Sequence, residues 1–155
     1  YFGICLGMQI SVIAFARSVA GMVDANSGEF DPESTHKVID FLPDQNDSVA
    51  KGGTLRLGAY PCAIVPGTQM EKAYGASHIY ERHRHRYEFN NDFRQALQEA
   101  GLVISGTSPD GYIVETVELS AAPFYLGVQF HPEFKSRPNK PHPLFVAFVK
   151  ASLEK

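Results

Sequence analysis

Apolar Tyr1, Phe2 and Ile4 run into Gly3, Cys5 and Gly7, after which Met8 to Gly21 is rich in Ala, Ile, Val and Phe at helix-compatible spacing. The pattern predicts the end of a strand, a tight turn and a helix. At most four residues precede the turn, whereas a buried strand has about five or six, so the strand is expected to begin upstream of Tyr1. Asn26 to Glu33 reads as a loop, Val38 to Leu42 as a short strand and Pro43 to Gly53 as a second loop. Thr54 to Tyr60 then alternates Leu55, Leu57 and Ala59 against Thr54, Arg56 and Gly58, and Cys62 to Val65 continues after Pro61. One or two strands of an antiparallel meander are expected there.

Gln69 to Tyr74 fits a short helix, Ile79 to Phe89 is a run of alternating charge and ring, and Asn91 is placed to cap a helix over Asp92 to Ala100. Leu102 to Gly106 and Tyr112 to Glu118 flank Ser108-Pro109-Asp110-Gly111, which predicts a β-hairpin. Phe124 to Phe130 is a further strand, ended at His131 by Pro132, and Pro143 opens a last helix whose apolar stripe is Leu144, Phe145, Phe148, Val149 and Leu153. The mixture predicts an α/β fold, with part of the sheet upstream of these residues.

Composition narrows the reading. The 155 residues are 44% hydrophobic and 20% charged, enough to bury a core without disulfides or a structural metal. A formal net charge of −3 offers no bulk attraction to nucleic acid or anionic membranes. No stretch suits a membrane span: the most apolar one, Ile10 to Val23, is broken by Ser11, Arg17, Ser18 and Gly21. Tyr1 to Leu6 lack the basic start of a signal peptide. Two cysteines, Cys5 and Cys62, suit a reducing, cytoplasmic compartment, with Cys62 read as a buried small hydrophobe. His36, His78 and His142 have no metal-ligand spacing, so no metal site is assigned.

The candidate chemistry lies at the two ends. Gly3-Ile4-Cys5-Leu6-Gly7 has the form G-x-C-x-G, in which flanking glycines permit a sharp strand-to-helix turn that lifts the cysteine into a cleft. The following helix N-terminus is expected to lower the thiol pKa and to offer backbone N–H groups to an oxyanion. A cysteine nucleophile needs a base and a group that orients the base, and Phe130-His131-Pro132-Glu133 supplies both. In an extended segment His131 and Glu133 project to one side, which allows a Cys-His-Glu triad. Arg82, Arg84 and Arg86 alternate with His83 and His85 and alone would read as the solvated face of an edge strand.

Gly3-Ile4-Cys5-Leu6-Gly7-Met8-Gln9 and Gln129-Phe130-His131-Pro132-Glu133-Phe134 resemble the two signature segments of the class I, triad-type glutamine amidotransferases, whose fold is a flavodoxin-like open sheet with helices on both faces. The stretch Glu81 to Asn91, with Ser27-Gly28-Glu29-Phe30, Leu55-Arg56-Leu57-Gly58 and His142-Pro143-Leu144-Phe145, resembles the glutaminase domain of the CTP synthases. The resemblance covers residues 1–155 as the C-terminal part of one such domain.

It implies that Cys5 attacks the side-chain amide of glutamine, that His131 carries the proton and that Glu133 holds the imidazole. Leu6 and Gln9 match positions that contact glutamine, the Leu6 N–H also serving the oxyanion; Glu29 and Arg86 match the polar contacts to its ammonium and α-carboxylate. The family's other oxyanion donor lies upstream of Tyr1, and losing one donor costs about 100- to 1,000-fold in rate, so weak or absent turnover by these residues alone is expected. No cofactor is implied for these residues. For the parent protein the resemblance implies a synthetase domain in the same polypeptide, use of ATP and magnesium, GTP as activator and a homotetramer. The alternatives are another class I amidotransferase, a γ-glutamyl hydrolase, or a catalytically silent module that keeps the fold.

Overall fold

The structure is a computed structural model that describes residues 1–41 and 56–154. The expected loop Pro43 to Gly53, and the strand residues Leu42, Thr54 and Leu55, lie outside them. Nine strands and four α-helices are described: β1 (Phe2–Ile4), α1 (Leu6–Ser18), β2 (Asn26–Ser27), β3 (Lys37–Asp40), β4 (Arg56–Ile64), α2 (Gln69–Tyr74), β5 (His78–His85), β6 (Glu88–Phe89), α3 (Arg94–Glu99), β7 (Val103–Thr107), β8 (Val114–Glu118), β9 (Leu126–Val128) and α4 (Pro143–Leu153).

Six strands form one mixed sheet in the order β1-β9-β8-β7-β4-β5, and β2-β3-β6 form a second, small one. In the large sheet β1 and β9 run parallel, with Ile4 opposite Val128, and the other pairs are antiparallel. The hairpin β7–β8 forms around the expected turn, where Gly111 takes a φ of 78° and donates its N–H to the Ser108 carbonyl at 2.8 Å.

Successive residues of β9 point to opposite faces. Leu126 and Val128 join Met70 of α2 and Leu144 of α4 in one core cluster. On the other face Met8, Val12, Ile13, Phe15 and Ala16 of α1 pack with Leu97 of α3 and Val117 of β8. Helices therefore cover both faces, and each large side chain so buried contributes about 1.5–3 kcal/mol. The α2 N-terminus is held by Glu118 of β8, whose carboxylate accepts from the Gln69 and Met70 N–H groups, both at 2.9 Å.

Several local expectations change. Helix α1 starts at Leu6 and ends at Ser18, ahead of Gly21 with its φ of 73°. The cap before α3 is Asn90, which accepts from the Asp92 N–H at 3.0 Å and opens a 3₁₀ turn, rather than Asn91. Strand β4 runs straight through Pro61, opposite Tyr80 of β5. It tolerates the missing N–H because β7 joins β4 only at Ala63 and Ile64, leaving Pro61 paired on one side. The run Ile79 to Phe89 divides: β5 is an edge of the large sheet, β6 belongs to the small one, and the chain turns at Arg86 and Tyr87.

At Gly127 a Cβ would meet Met8 Cγ and Val117 Cγ2 at 3.0 Å each, so α1 lies on the sheet at a distance set by this glycine. Gly127→Ala should lower stability by about 1–3 kcal/mol, read as a lower urea midpoint at unchanged slope. An unchanged midpoint would mean that α1 can lift off β9 without cost.

Candidate functional site

Parallel pairing of β1 and β9 brings the residues that follow them out at the same end of the sheet. Cys5 follows β1, and His131 stands three residues beyond Val128 of β9. The Cys5 N–H donates to Val128 O at 2.7 Å, extending the sheet, while its carbonyl accepts from the Gln9 N–H at 3.2 Å, starting the helix. Serving both elements bends the residue to φ 50° and ψ −104°. Among the described residues it alone, glycines apart, has a positive φ, a strain of about 1–3 kcal/mol that concentrates at functional sites.

The strain sits on the cysteine itself, and the flanking glycines have other uses. Gly3 provides room: a Cβ there would stand 2.7 Å from the Tyr1 ring and 2.8 Å from the Gly7 carbonyl carbon. Gly7 lies in the first turn of α1 and has space for a Cβ, with Tyr1 Oη nearest at 3.7 Å.

A cavity of about 390 Å³ opens beside Cys5, lined by Leu6 and Gln9 of α1, Glu29 and Phe30 after β2, and the Arg84 to Tyr87 corner between β5 and β6. It gathers five of the expected site residues: Cys5, Leu6, Gln9, Glu29 and Arg86. Its charged rim comes from the exposed Glu29, Arg84 and Arg86, and exposed Leu6 and Phe30 add apolar surface. The other two, His131 and Glu133, are paired with each other, Nδ1 to Oε1 at 2.6 Å, across a 3₁₀ turn over Pro132–Phe134 rather than along the expected extended segment. That contact leaves His131 Nε2 as the nitrogen for proton transfer, and it is buried with no hydrogen-bond partner among the described residues. No hydrogen bond joins it to Cys5; the sulfur's side-chain partner is Gln129 Nε2, at 3.7 Å.

The expected depression of the thiol pKa does not hold for this resting geometry. Burial pushes the Cys5 thiol up; the Leu6 N–H and the Gln129 amide pull it down, and the carboxylates of Glu133 and Glu88 add to the rise. The thiol thus needs a base to ionise at neutral pH, and a histidine oriented by a carboxylate is such a base.

Behind the cavity lies a buried polar network that sequence reading missed. Arg56 Nη2 contacts Glu115 Oε1 at 2.6 Å, Glu115 Oε2 lies 3.5 Å from His83 Nε2, and His83 Nδ1 meets His85 Nε2 at 2.8 Å. His85 Nδ1 continues to the Tyr87 carbonyl at 3.2 Å and lies 3.3 Å from Glu88. Burial, reinforced by the Arg56 charge, holds His83 down to about 2 and His85 to about 3, so both are neutral. Burial also pushes Glu88 up to about 8.

The signal lay in the period-two pattern itself. Arg82, Arg84 and Arg86 are exposed as expected, which turns His83 and His85 inward. On β4 the alternation is real but its polar phase faces in: Arg56 is 8% exposed and Leu57 63%, because Arg56 lies opposite His85 on the inner face.

Residues 1–151 match the family model for class I glutamine amidotransferases. The chain is 63% identical over 154 residues to the CTP synthase of Carboxydothermus hydrogenoformans, covering 99% of this chain and 29% of that protein. It is 62% identical over 153 residues to the CTP synthase of Rubrobacter xylanophilus, covering 99% and 28%. The chain thus spans under a third of the length of these curated relatives. Among solved structures, the glutaminase domain of Trypanosoma brucei CTPS with bound acivicin superposes with a TM-score of 0.92 at 42% identity, covering 100% of this chain and 60% of that one. A putative GMP synthase protein from Thermoplasma acidophilum shares the fold, with a TM-score of 0.58 at 17% identity over 97% of this chain and 55% of that one.

The two glycines of the turn should separate on substitution. Gly3→Ala is expected to lower stability by about 1–3 kcal/mol through its clash with backbone, while Gly7→Ala stays within about 1 kcal/mol of the parent because helix propensity favours alanine. Thermal unfolding of the two variants checks the order, and equal losses would contradict the division of roles.

Proposed function

Since the chain belongs to the class I glutamine amidotransferases, we propose that it is the C-terminal part of the amidotransferase domain of a CTP synthase and hydrolyses glutamine with Cys5 as nucleophile. The observation that carries this is the strained Cys5 on the wall of a cavity rimmed by one anion, Glu29, and two cations, Arg84 and Arg86, with a carboxylate-oriented histidine at the same sheet end.

Arg86 binds the α-carboxylate of glutamine and Glu29 its ammonium, at the cavity rim where both side chains are exposed. Gln9 presents only its oxygen to the substrate, because its amide hydrogens go to the Tyr87 carbonyl at 2.9 Å and to Gln129 Oε1 at 3.2 Å. His131 takes the thiol proton and the sulfur attacks the side-chain amide carbon, whose oxygen gathers negative charge near the Leu6 N–H. The same imidazole protonates the departing nitrogen, ammonia leaves and a thioester remains. Water, deprotonated by His131, cleaves the thioester to glutamate and restores the thiol. Glu133 keeps the imidazole in one tautomer and stabilises its protonated form, as in other triads.

In the whole protein the ammonia passes to a synthetase domain of the same polypeptide, which aminates UTP to CTP with ATP as co-substrate and GTP as activator, within a homotetramer in the cytoplasm. The synthase assignment rests on the two CTP synthases of 63% and 62% identity; the nucleotides, the homotetramer and the compartment rest on the family resemblance alone. Among the described residues no group of His, Cys, Asp and Glu is placed to hold a metal ion. No helix among them is long and apolar enough to cross a membrane.

Cys5→Ala should abolish glutaminase turnover in the intact protein while leaving its circular dichroism unchanged; retained turnover would remove Cys5 as nucleophile. Arg86→Ala should raise KM for glutamine about tenfold or more with a smaller effect on kcat, as expected for a lost charged contact made in ground and transition state alike. Unchanged saturation would place the α-carboxylate elsewhere.

A further inference from the structure

Two buried glutamines stand head to tail behind the Cys5 sulfur. Gln9 is 3% exposed and Gln129 fully buried. Gln9 Nε2 donates to the Tyr87 carbonyl at 2.9 Å and to Gln129 Oε1 at 3.2 Å, and Gln129 Nε2 stands 3.7 Å from Cys5 Sγ. Shape alone lets an amide sit either way round, so its partners must decide. The Tyr87 carbonyl can only accept, which turns the Gln9 NH₂ towards it. With both amide hydrogens of Gln9 directed to acceptors, Gln129 has to present its oxygen to Gln9, and its own NH₂ therefore faces the sulfur. The polarity of one backbone carbonyl is thus passed through two side chains to the thiol.

We propose that Gln129 is a further residue of the catalytic site: it donates an N–H to the Cys5 sulfur, favours the thiolate over the thiol and holds the sulfur while His131 moves the proton. The proposal deepens the assignment of Cys5 as nucleophile and rests on it. The charges around the sulfur make such a donor useful. Glu133 beyond β9 and Glu88 of β6 both disfavour the thiolate, and burial does so more strongly. Of the other groups nearby, His131 is already held by Glu133, His85 is held neutral by burial and the Arg56 charge, and the Arg84 and Arg86 charges sit exposed at the cavity rim. The Leu6 N–H and the Gln129 amide are the two hydrogen bonds that lower the thiol pKa, and the Leu6 N–H is also the one assigned to the oxyanion.

The test uses Gln129→Met, which keeps length and volume but removes the donor, and Gln129→Glu, which keeps shape but cannot donate when ionised. In the intact protein, the pH midpoint for alkylation of Cys5 by iodoacetamide, mapped to its peptide, should rise by about one unit or more in both, since a hydrogen bond to a charged group is worth that much. Glutaminase kcat/KM should fall about tenfold at neutral pH and recover as pH is raised, because the lost interaction is one with the thiolate. A residue that only fills space would lower stability or give a pH-independent loss, leaving the midpoint where it was; that result in a folded variant overturns the proposal. If neither variant folds, the side-chain amide NMR signal of Gln129 in the unsubstituted protein decides: it should titrate with Cys5, and a signal that stays still overturns the proposal. Turnover persisting in Cys5→Ala would instead overturn the assignment of the nucleophile.

Discussion

Cys5 is claimed by two elements at once. Its N–H is held by Val128 O in the sheet and its carbonyl by the first turn of α1, and a residue serving both takes a left-handed φ. The side chain is then carried out of the strand and away from the helix, into the cavity. The site depends on this bifurcation: β1 fixes where the sulfur stands, β9 delivers His131 to the same end, and α1 supplies Leu6 and Gln9 one turn on. The close approach of α1 to the sheet over Gly127, and of Gly3 to Gly7, makes the arrangement compact enough to hold the strain.

The second dependence is on buried charge. The cavity is backed on its β5 side by a polar network, not by hydrocarbon: Arg56 of β4, Glu115 of β8 and His83 of β5 lead to His85, which lines the cavity. Buried ion pairs of this kind add little net stability, since desolvation cancels most of the attraction, but removing one partner leaves an uncompensated charge. Their use here is to fix the β5 corner at which Arg86 and Tyr87 leave the sheet. The Tyr87 carbonyl then orients Gln9, and so the network ends at the cavity wall.

Much of this was legible from residue order. The G-x-C-x-G turn, the Ser108 to Gly111 hairpin and the Pro143 helix start are local signals, read over a few residues, and the structure forms each of them; His131 and Glu133 do pair, but across a 3₁₀ turn and not along the extended segment expected. Their limits are physical. The strained φ could be placed at the turn but not on Cys5 itself, because glycines are the residues that usually absorb it. The thiol pKa was read from the helix terminus alone, while burial and two carboxylates distant in sequence set its direction. The alternation of β4 was visible but its phase was not: which face is inside depends on Glu115 and the histidines across the sheet. Gln129 lay inside a signature segment, yet its contact with Cys5 spans 124 positions of sequence, and nothing local marks it.

The central claim, an activated cysteine beside a glutamine-shaped cavity, is tested most directly by treating the intact protein with 6-diazo-5-oxonorleucine and locating the adduct by mass spectrometry. A single adduct on Cys5 that excess glutamine suppresses is the result predicted, with Cys62 unmodified because it is buried. Cys5 left unmodified by this reagent while iodoacetamide alkylates it readily would contradict the account: the thiol would be exposed, but the cavity beside it would not be a glutamine site.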